Sequence, residues 1–350
     1  MRLLPAFLLL VLAGCSDGQV WQRQFLQFGT LIDISIAGVE RERAEAAFDA
    51  IEALFAKRNR QWHAWEDSDL TRFNRALAAQ PPEGVPIPPS LRRLIDDSLR
   101  YYRLSEGRFN PALGRLIAAW GFQGNAQPDA AAIARLRADP PGMDDLRTLG
   151  DRAWSEHPSL QLDFGAIAKG LAVAQAGELL RQRGIDNFIV NAGGDLLARG
   201  HKAGGAPWVI AIEDPFRGGV LATLELQPGG AVFTSGSYRR YAIDDNGQRR
   251  HHIIDPRSAA PSRTVRSATV WHDDPVAADA AATTLMLTDP GNIPLMARRF
   301  GLREWLVVTE DGKRIASPGW SRLSGGAPPA VSSPRSDTQS AGGARHKLAE

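Results

Sequence analysis

Cys15 is the only cysteine in a chain of 350 residues, which removes two common ways of holding a fold together. No disulfide can form within the chain, and no thiolate zinc cluster can be built. The seven histidines include no HExxH or HxxxH pair, so a histidine-based zinc site is not expected either. Stability therefore has to come from a packed apolar core. With 43% hydrophobic and 23% charged residues, usage is that of a globular protein long enough for one large or two modest domains. Lys and Arg number 41 against 39 Asp and Glu, a formal charge of +2. Without a long basic block, this balance gives no electrostatic basis for nucleic-acid binding.

The position of Cys15 carries a second message. Met1-Arg2 is a short basic start, and Leu3 to Ala13 is an apolar run of eleven residues that leads into Gly14-Cys15. A membrane-spanning helix needs about 20 apolar residues, so this run is an export signal rather than a span. The small residues before the cysteine resemble the lipobox of bacterial lipoproteins. Residues 1–14 are then the signal peptide, Cys15 the lipidated residue, and 15–22 a linker. Several acyl chains on one residue anchor a protein stably, at about 0.8 kcal/mol for each buried CH2. A plain secretory signal with an incidental cysteine is the alternative. Either way the body is expected to be extracytoplasmic, where a thiol-free fold suits an oxidising compartment.

Downstream, Phe25 to Ala37 reads as a strand and Glu40 to Trp62 as a helix whose Ala44, Ala47, Phe48, Ile51, Leu54 and Phe55 share a face. A proline-rich loop at 81–89 gives way to a second helix opening at Pro89-Ser90. Residues 123–158 are Ala/Pro/Asp-rich and read as a peripheral helix and loop. From Leu160 to Thr288 short strands alternate with loops and two helices, Ala166 to Arg183 and Pro275 to Leu287. Trp305 to Val308 with Asp311-Gly312 predicts a closing hairpin. The chain beyond 323 is Gly/Ala/Ser/Pro-rich and is expected to be disordered. The pattern predicts an α+β fold with mixed sheets flanked by helices, residues 23–322 forming the functional domain.

Five segments carry chemistry. Asp163-Phe164-Gly165-Ala166-Ile167-Ala168-Lys169-Gly170 puts a carboxylate at a strand end and a lysine at a helix start, where free N–H groups favour an anion. Asn191-Ala192-Gly193-Gly194-Asp195 is a strand entering a tight turn. Phe233-Thr234-Ser235-Gly236-Ser237-Tyr238 gathers hydroxyls and a glycine beside two arginines, a plausible anion cradle. His251-His252-Ile253-Ile254-Asp255-Pro256 ends a strand at a proline turn. On the Pro275–Leu287 helix, Asp279 and Thr283 lie one turn apart, and a carboxylate and a hydroxyl so placed suit a hard cation such as Mg2+. Taken singly, each segment also reads as ordinary structure: a strand–turn–helix, a capped turn, an arginine-bearing loop, a solvated His pair, an Ala-rich core helix.

Taken together, their order and spacing resemble the ApbE family of flavin transferases. The resemblance covers about Phe28 to Glu310. Further pieces of it are Phe28-Gly29-Thr30, Ser68-Asp69-Leu70 with Asn74, Glu106-Gly107-Arg108-Phe109-Asn110-Pro111 and Trp120-Gly121-Phe122. It implies that FAD is split at its pyrophosphate, FMN passing through its phosphate to a threonine of an acceptor protein while AMP leaves. It implies Mg2+ held by Asp279, Thr283 and the backbone carbonyl of Ala166. It also maps FAD contacts onto Phe28, Gly107, Arg108, Phe109, Asp163, Lys169, Ser235 and Ile254. Where many members carry an aromatic residue this chain has Ala64, so its neighbour Trp65 is taken as the flavin-stacking ring. Where some carry a further aspartate it has Ala282, which leaves a site with few carboxylates. His252 is the preferred hydroxyl activator, because histidine titrates nearest neutral pH, with Asp255 and the metal as rivals. An FAD pyrophosphatase and a non-catalytic flavin-binding lipoprotein are the rival functions. Family precedent places the acceptors among exported or membrane redox subunits. That favours a periplasmic, lipid-anchored protein on the inner membrane, although Ser16 is not the aspartate that would mark retention there.

Overall fold

Residue-by-residue alternation along Gly229–Gly236 shows how the molecule is layered. Ala231 and Phe233 point into one apolar core, and Val232 between them points into another. Such alternation needs a strand covered on both faces. The computed structural model describes residues 19–122, 127–226, 229–238, 241–243 and 249–320. The proposed signal peptide, Cys15 and the segment beyond 323 lie outside these residues.

The central sheet has eight strands: Val20–Gln27, Thr30–Ala37, Phe188–Ala192, Asp195–Arg199, Gly229–Gly236, Val265–His272, Glu304–Thr309 and Arg314–Ala316. Their spatial order is their chain order, and every neighbouring pair is antiparallel. The α+β reading holds, with the sheet a meander whose connections carry the remaining elements. Helices Arg41–Trp62, Asp69–Ala78, Pro89–Leu104, Ala168–Gln182 and Pro275–Met286 supply the larger core on one face. The ribbon Trp208–Glu213 with Val220–Leu226 covers the other face, where Ile210, Leu224 and Leu226 meet Leu196, Val232, Trp271 and Leu306. A third apolar cluster joins Leu113, Leu116 and Leu136 to Ile254 and Ala259, with Trp120 packed against it and donating Nε1–H to the Ala259 carbonyl at 2.8 Å.

Several expectations need correction. The strand expected over Phe25 to Ala37 is a hairpin that begins at Val20, inside the expected linker. Phe28 (φ 54°) and Gly29 (φ 64°) are both left-handed, the requirement of a two-residue turn that matches strand twist. The 123–158 region contains the helix Ala130–Ala138 and the antiparallel pair Leu146–Leu149 with Arg152–Ser155. Residues around Gln161 form only an isolated bridge to Leu113. The helix Asp69–Ala78 was not expected; Ser68 and Thr71 cap it reciprocally.

Candidate active site

The Phe28-Gly29 turn, the Gly193-Gly194 turn, the C-terminal end of Gly229–Gly236 and the start of Ala168–Gln182 gather at one end of the sheet. Between them opens a cleft of about 1100 Å3, at the large end of small-molecule sites. Two glycines permit the approach. Gly193 (φ +69°) would drive a Cβ to 2.1 Å from Thr30 Oγ1. A Cβ on Gly170 would sit 2.6 Å from the Pro275 carbonyl oxygen and 2.8 Å from Asp279 Cβ. Gly170 thereby lets the helices Ala168–Gln182 and Pro275–Met286 touch, and its N–H donates to Asp279 Oδ2 at 2.8 Å.

Asp279 is 4% exposed. Burial pushes its carboxyl up to about 7; the Lys169 ammonium pulls it down, Asp195 adds to the upward push, and the Gly170 N–H lowers it. Thr283, one turn on, places Oγ1 3.3 Å from Ser235 Oγ and so ties the helix to the end of the central strand. Lys169 ion-pairs with Asp195, and Asp195 Oδ1 accepts the Thr234 N–H at 3.1 Å. Asp163 takes the Gly165 N–H on Oδ1 at 2.7 Å, while loss of water pushes its carboxyl up. Buried Asn74 holds this loop by accepting from Leu162 N–H at 2.8 Å and donating to the Leu162 carbonyl at 2.9 Å.

Aromatic side chains form the opposite wall. Phe28 stacks with Trp62 at 6.3 Å between centroids and meets Phe55 edge-on at 5.7 Å. Trp65, 38% exposed, lines the same wall. Arg108 and Phe109 also line the cleft, Arg108 bonded to Glu106 Oε2 at 3.0 Å. Gly107 does not: at φ +78° it packs beside the Tyr102 ring and turns the chain so that its two successors face inward. Of the histidine pair, His251 is buried with Nε2 2.5 Å from the Ser262 carbonyl oxygen, whereas His252 and Ile254 line the cleft. Asp255 lies outside the cleft wall, its two oxygens engaged by Arg257 at 3.0 and 2.9 Å. Its charge is thus turned toward Arg257 rather than into the cleft. Phe28, Trp65, Arg108, Phe109, Asp163, Ala166, Lys169, Ser235, His252, Ile254, Asp279 and Thr283 thus meet in one space. Sequence reasoning overlooked Asp195, Trp62 and Arg250 as cleft residues; only Asp195 had a signal, as the end of the Asn191–Asp195 turn.

No group of three or more His, Cys, Asp or Glu among the described residues could hold a metal. A cation here would instead be met by a carboxylate, a hydroxyl and a peptide carbonyl. These hard oxygens fit Mg2+. Asp279 has a further reason to fit: it is buried, and the loss of water disfavours its charge, which a bound cation would compensate.

The sequence profile of the ApbE family matches residues 28–304. The chain belongs to the ApbE family. Its relatives include the FAD:protein FMN transferase of Rhodobacter capsulatus, 40% identical over 298 residues, 84% of this chain and 56% of that protein. The chain thus spans little more than half the length of that relative. The FAD:protein FMN transferase of Klebsiella pneumoniae (strain 342) is 30% identical over 87% of this chain and 86% of its own. Among solved structures, the ApbE protein of Thermotoga maritima superposes with a TM-score of 0.79 at 28% identity, covering 87% of this chain and 99% of its own. A mutant of the flavin transferase ApbE from Vibrio cholerae superposes at 0.74 with 27% identity, covering 87% of this chain and all of its own. The ApbE match begins at Phe28, the first residue of the cleft wall, and runs through the whole of the cleft.

Proposed function

We propose that this chain is an FAD:protein FMN transferase, moving FMN from FAD to a threonine hydroxyl of an acceptor protein with Mg2+. One observation carries the reading: a single cleft joins an aromatic wall of Phe28, Trp62 and Trp65 to the Asp279–Thr283 oxygen pair and to His252. A flavin, a diphosphate and an incoming hydroxyl each find a matching surface there. Flavin transfer is the activity in the names of the relatives.

The acceptor threonine Oγ attacks the FMN-side phosphorus of FAD. An O–P bond forms as the bond from that phosphorus to the bridging oxygen breaks, and the bridging oxygen leaves with AMP. The threonine proton passes to a ring nitrogen of His252. Asp279, Thr283 and the Ala166 carbonyl would hold the Mg2+, which neutralises charge on the transferring phosphoryl and the departing AMP. Lys169, steadied by Asp195, presents charge to the diphosphate, and Thr234-Ser235-Gly236 forms the bank along which it lies.

The test is to incubate the purified chain with FAD, Mg2+ and a threonine-bearing acceptor and to weigh the products. One FMN added to the acceptor is the expected result. Free FMN with AMP would make the chain a pyrophosphatase, and unchanged FAD would make it a flavin binder. The reading includes export and lipidation at Cys15, which the pattern Leu12-Ala13-Gly14-Cys15 supports, and residence on the periplasmic face of the inner membrane, which rests on the acceptors that family precedent implies. Acceptors are then exported or membrane redox subunits, and a Cys15→Ser variant is expected to leave the membrane fraction.

A further inference from the structure

Among the described residues three Lys or Arg side chains line the cleft: Arg108, Lys169 and Arg250. Two already have an acid, Arg108 in Glu106 and Lys169 in Asp195. Arg250 is different. Its Nε, like that of Arg108, is buried without a hydrogen-bond partner, but unlike Arg108 it is paired with no carboxylate of the described residues. A buried guanidinium N–H left unmade is costly, and native structures keep few of them without a reason. The strand Arg249–His251 shows how Arg250 is aimed. Its neighbour His251 turns away into the protein, where its ring meets the Ser262 carbonyl. Arg250 and His252, two residues apart, both face the cleft.

Charge decides what Arg250 meets. Among the described residues three acids line the cleft, Asp163, Asp195 and Asp279, against Arg108, Lys169 and Arg250, and the first two of these cations are already engaged by Glu106 and Asp195. An acidic peptide would meet Asp195 and Asp279 and is disfavoured, whereas a phosphoryl group offers the non-bridging oxygens that a planar guanidinium takes in pairs. We propose that Arg250 binds the diphosphate of FAD at the phosphoryl group that is transferred, next to His252. The proposal rests on the flavin-transfer reading and adds no bond change to it: Arg250 holds non-bridging oxygens that stay on phosphorus throughout.

Equilibrium binding of FAD, FMN, riboflavin and AMP, each measured with wild type, Arg250→Gln and Arg250→Lys, tests this without turnover. For Arg250→Gln, FAD and FMN are expected to bind at least tenfold more weakly. Riboflavin, which has no phosphate, and AMP are expected to stay within twofold of wild type. Arg250→Lys, which keeps the charge but not the fork, is expected to recover part of the loss. FAD and FMN affinities within twofold of wild type in the Gln variant overturn the proposal. Riboflavin weakened as much as FMN also overturns it, because the wall itself would then have been damaged. Loss of AMP affinity with FMN unchanged overturns the placement on the transferred phosphoryl. A wild-type chain that binds none of the flavins overturns the flavin-transfer reading and this proposal together, which separates the two failures.

Discussion

Asp279 does two jobs that different substitutions separate. Its Oδ2 satisfies the Gly170 N–H, and its charge is what a cation would bind. Asp279→Asn keeps an acceptor for that N–H, so its melting temperature is expected to stay within a few degrees of wild type while Mg2+-dependent flavin transfer falls at least about 10²-fold. Asp279→Ala is expected to lose the same activity and also about 1–3 kcal/mol of stability, because a buried N–H is left unpaired. Thermal melts beside acceptor mass measurements distinguish the two, and full activity in either variant would remove the metal assignment. His251 supplies a pH test. Burial lowers its affinity for a proton, and the Ser262 carbonyl offsets this only in part. The unfolded chain, with a histidine near its ordinary value of about 6.5, therefore binds that proton more readily than the native one. The His251 contribution is full above that value and is lost as the pH falls. Melting temperature is expected to drop between pH 7.5 and 5.5, and to drop less in His251→Gln. The two histidines look alike in the sequence. What separates them is burial, His251 alone reaching the Ser262 carbonyl eleven residues on, and no local pattern encodes that.

At the scale of elements, the contact between Ala168–Gln182 and Pro275–Met286 builds the site, because it sets Lys169 beside Asp279. Gly170→Ala is expected to cost about 1–3 kcal/mol by overpacking against backbone atoms and to lower FAD affinity as well, which chemical denaturation and flavin titration would record. Both helices were legible, since their caps and apolar residues are local signals. Less was legible where a turn hides in an apolar run. Phe28 at a left-handed φ is not a residue that announces a turn, so one strand was read where two exist. The helix Asp69–Ala78 escaped because its capping box uses Thr71 rather than the Glu or Gln that usually marks one. The site residues were legible by resemblance more than by chemistry: each motif alone fitted ordinary structure. Arg250 escaped because a second arginine beside Arg249 reads as surface charge.

On the scale of the whole molecule, the sheet divides two cores, and only the helical side belongs to the cleft. Leu224, fully buried in the ribbon-side core, makes the division testable. Leu224→Ala is expected to cost about 2–5 kcal/mol in denaturant unfolding while leaving FAD affinity within about twofold, since no ribbon residue lines the cleft. Loss of flavin binding in a folded variant would show the two sides to be coupled. The meander itself has a consequence for biogenesis. Thr30–Ala37 pairs with Phe188–Ala192, so the first hairpin to leave the ribosome waits for some 150 residues of synthesis before its sheet neighbour emerges. Until then its inner edge is open to any passing strand. The nascent chain is thus most exposed to aggregation early, and a chaperone that shields the first hairpin would raise yield more than one acting after release.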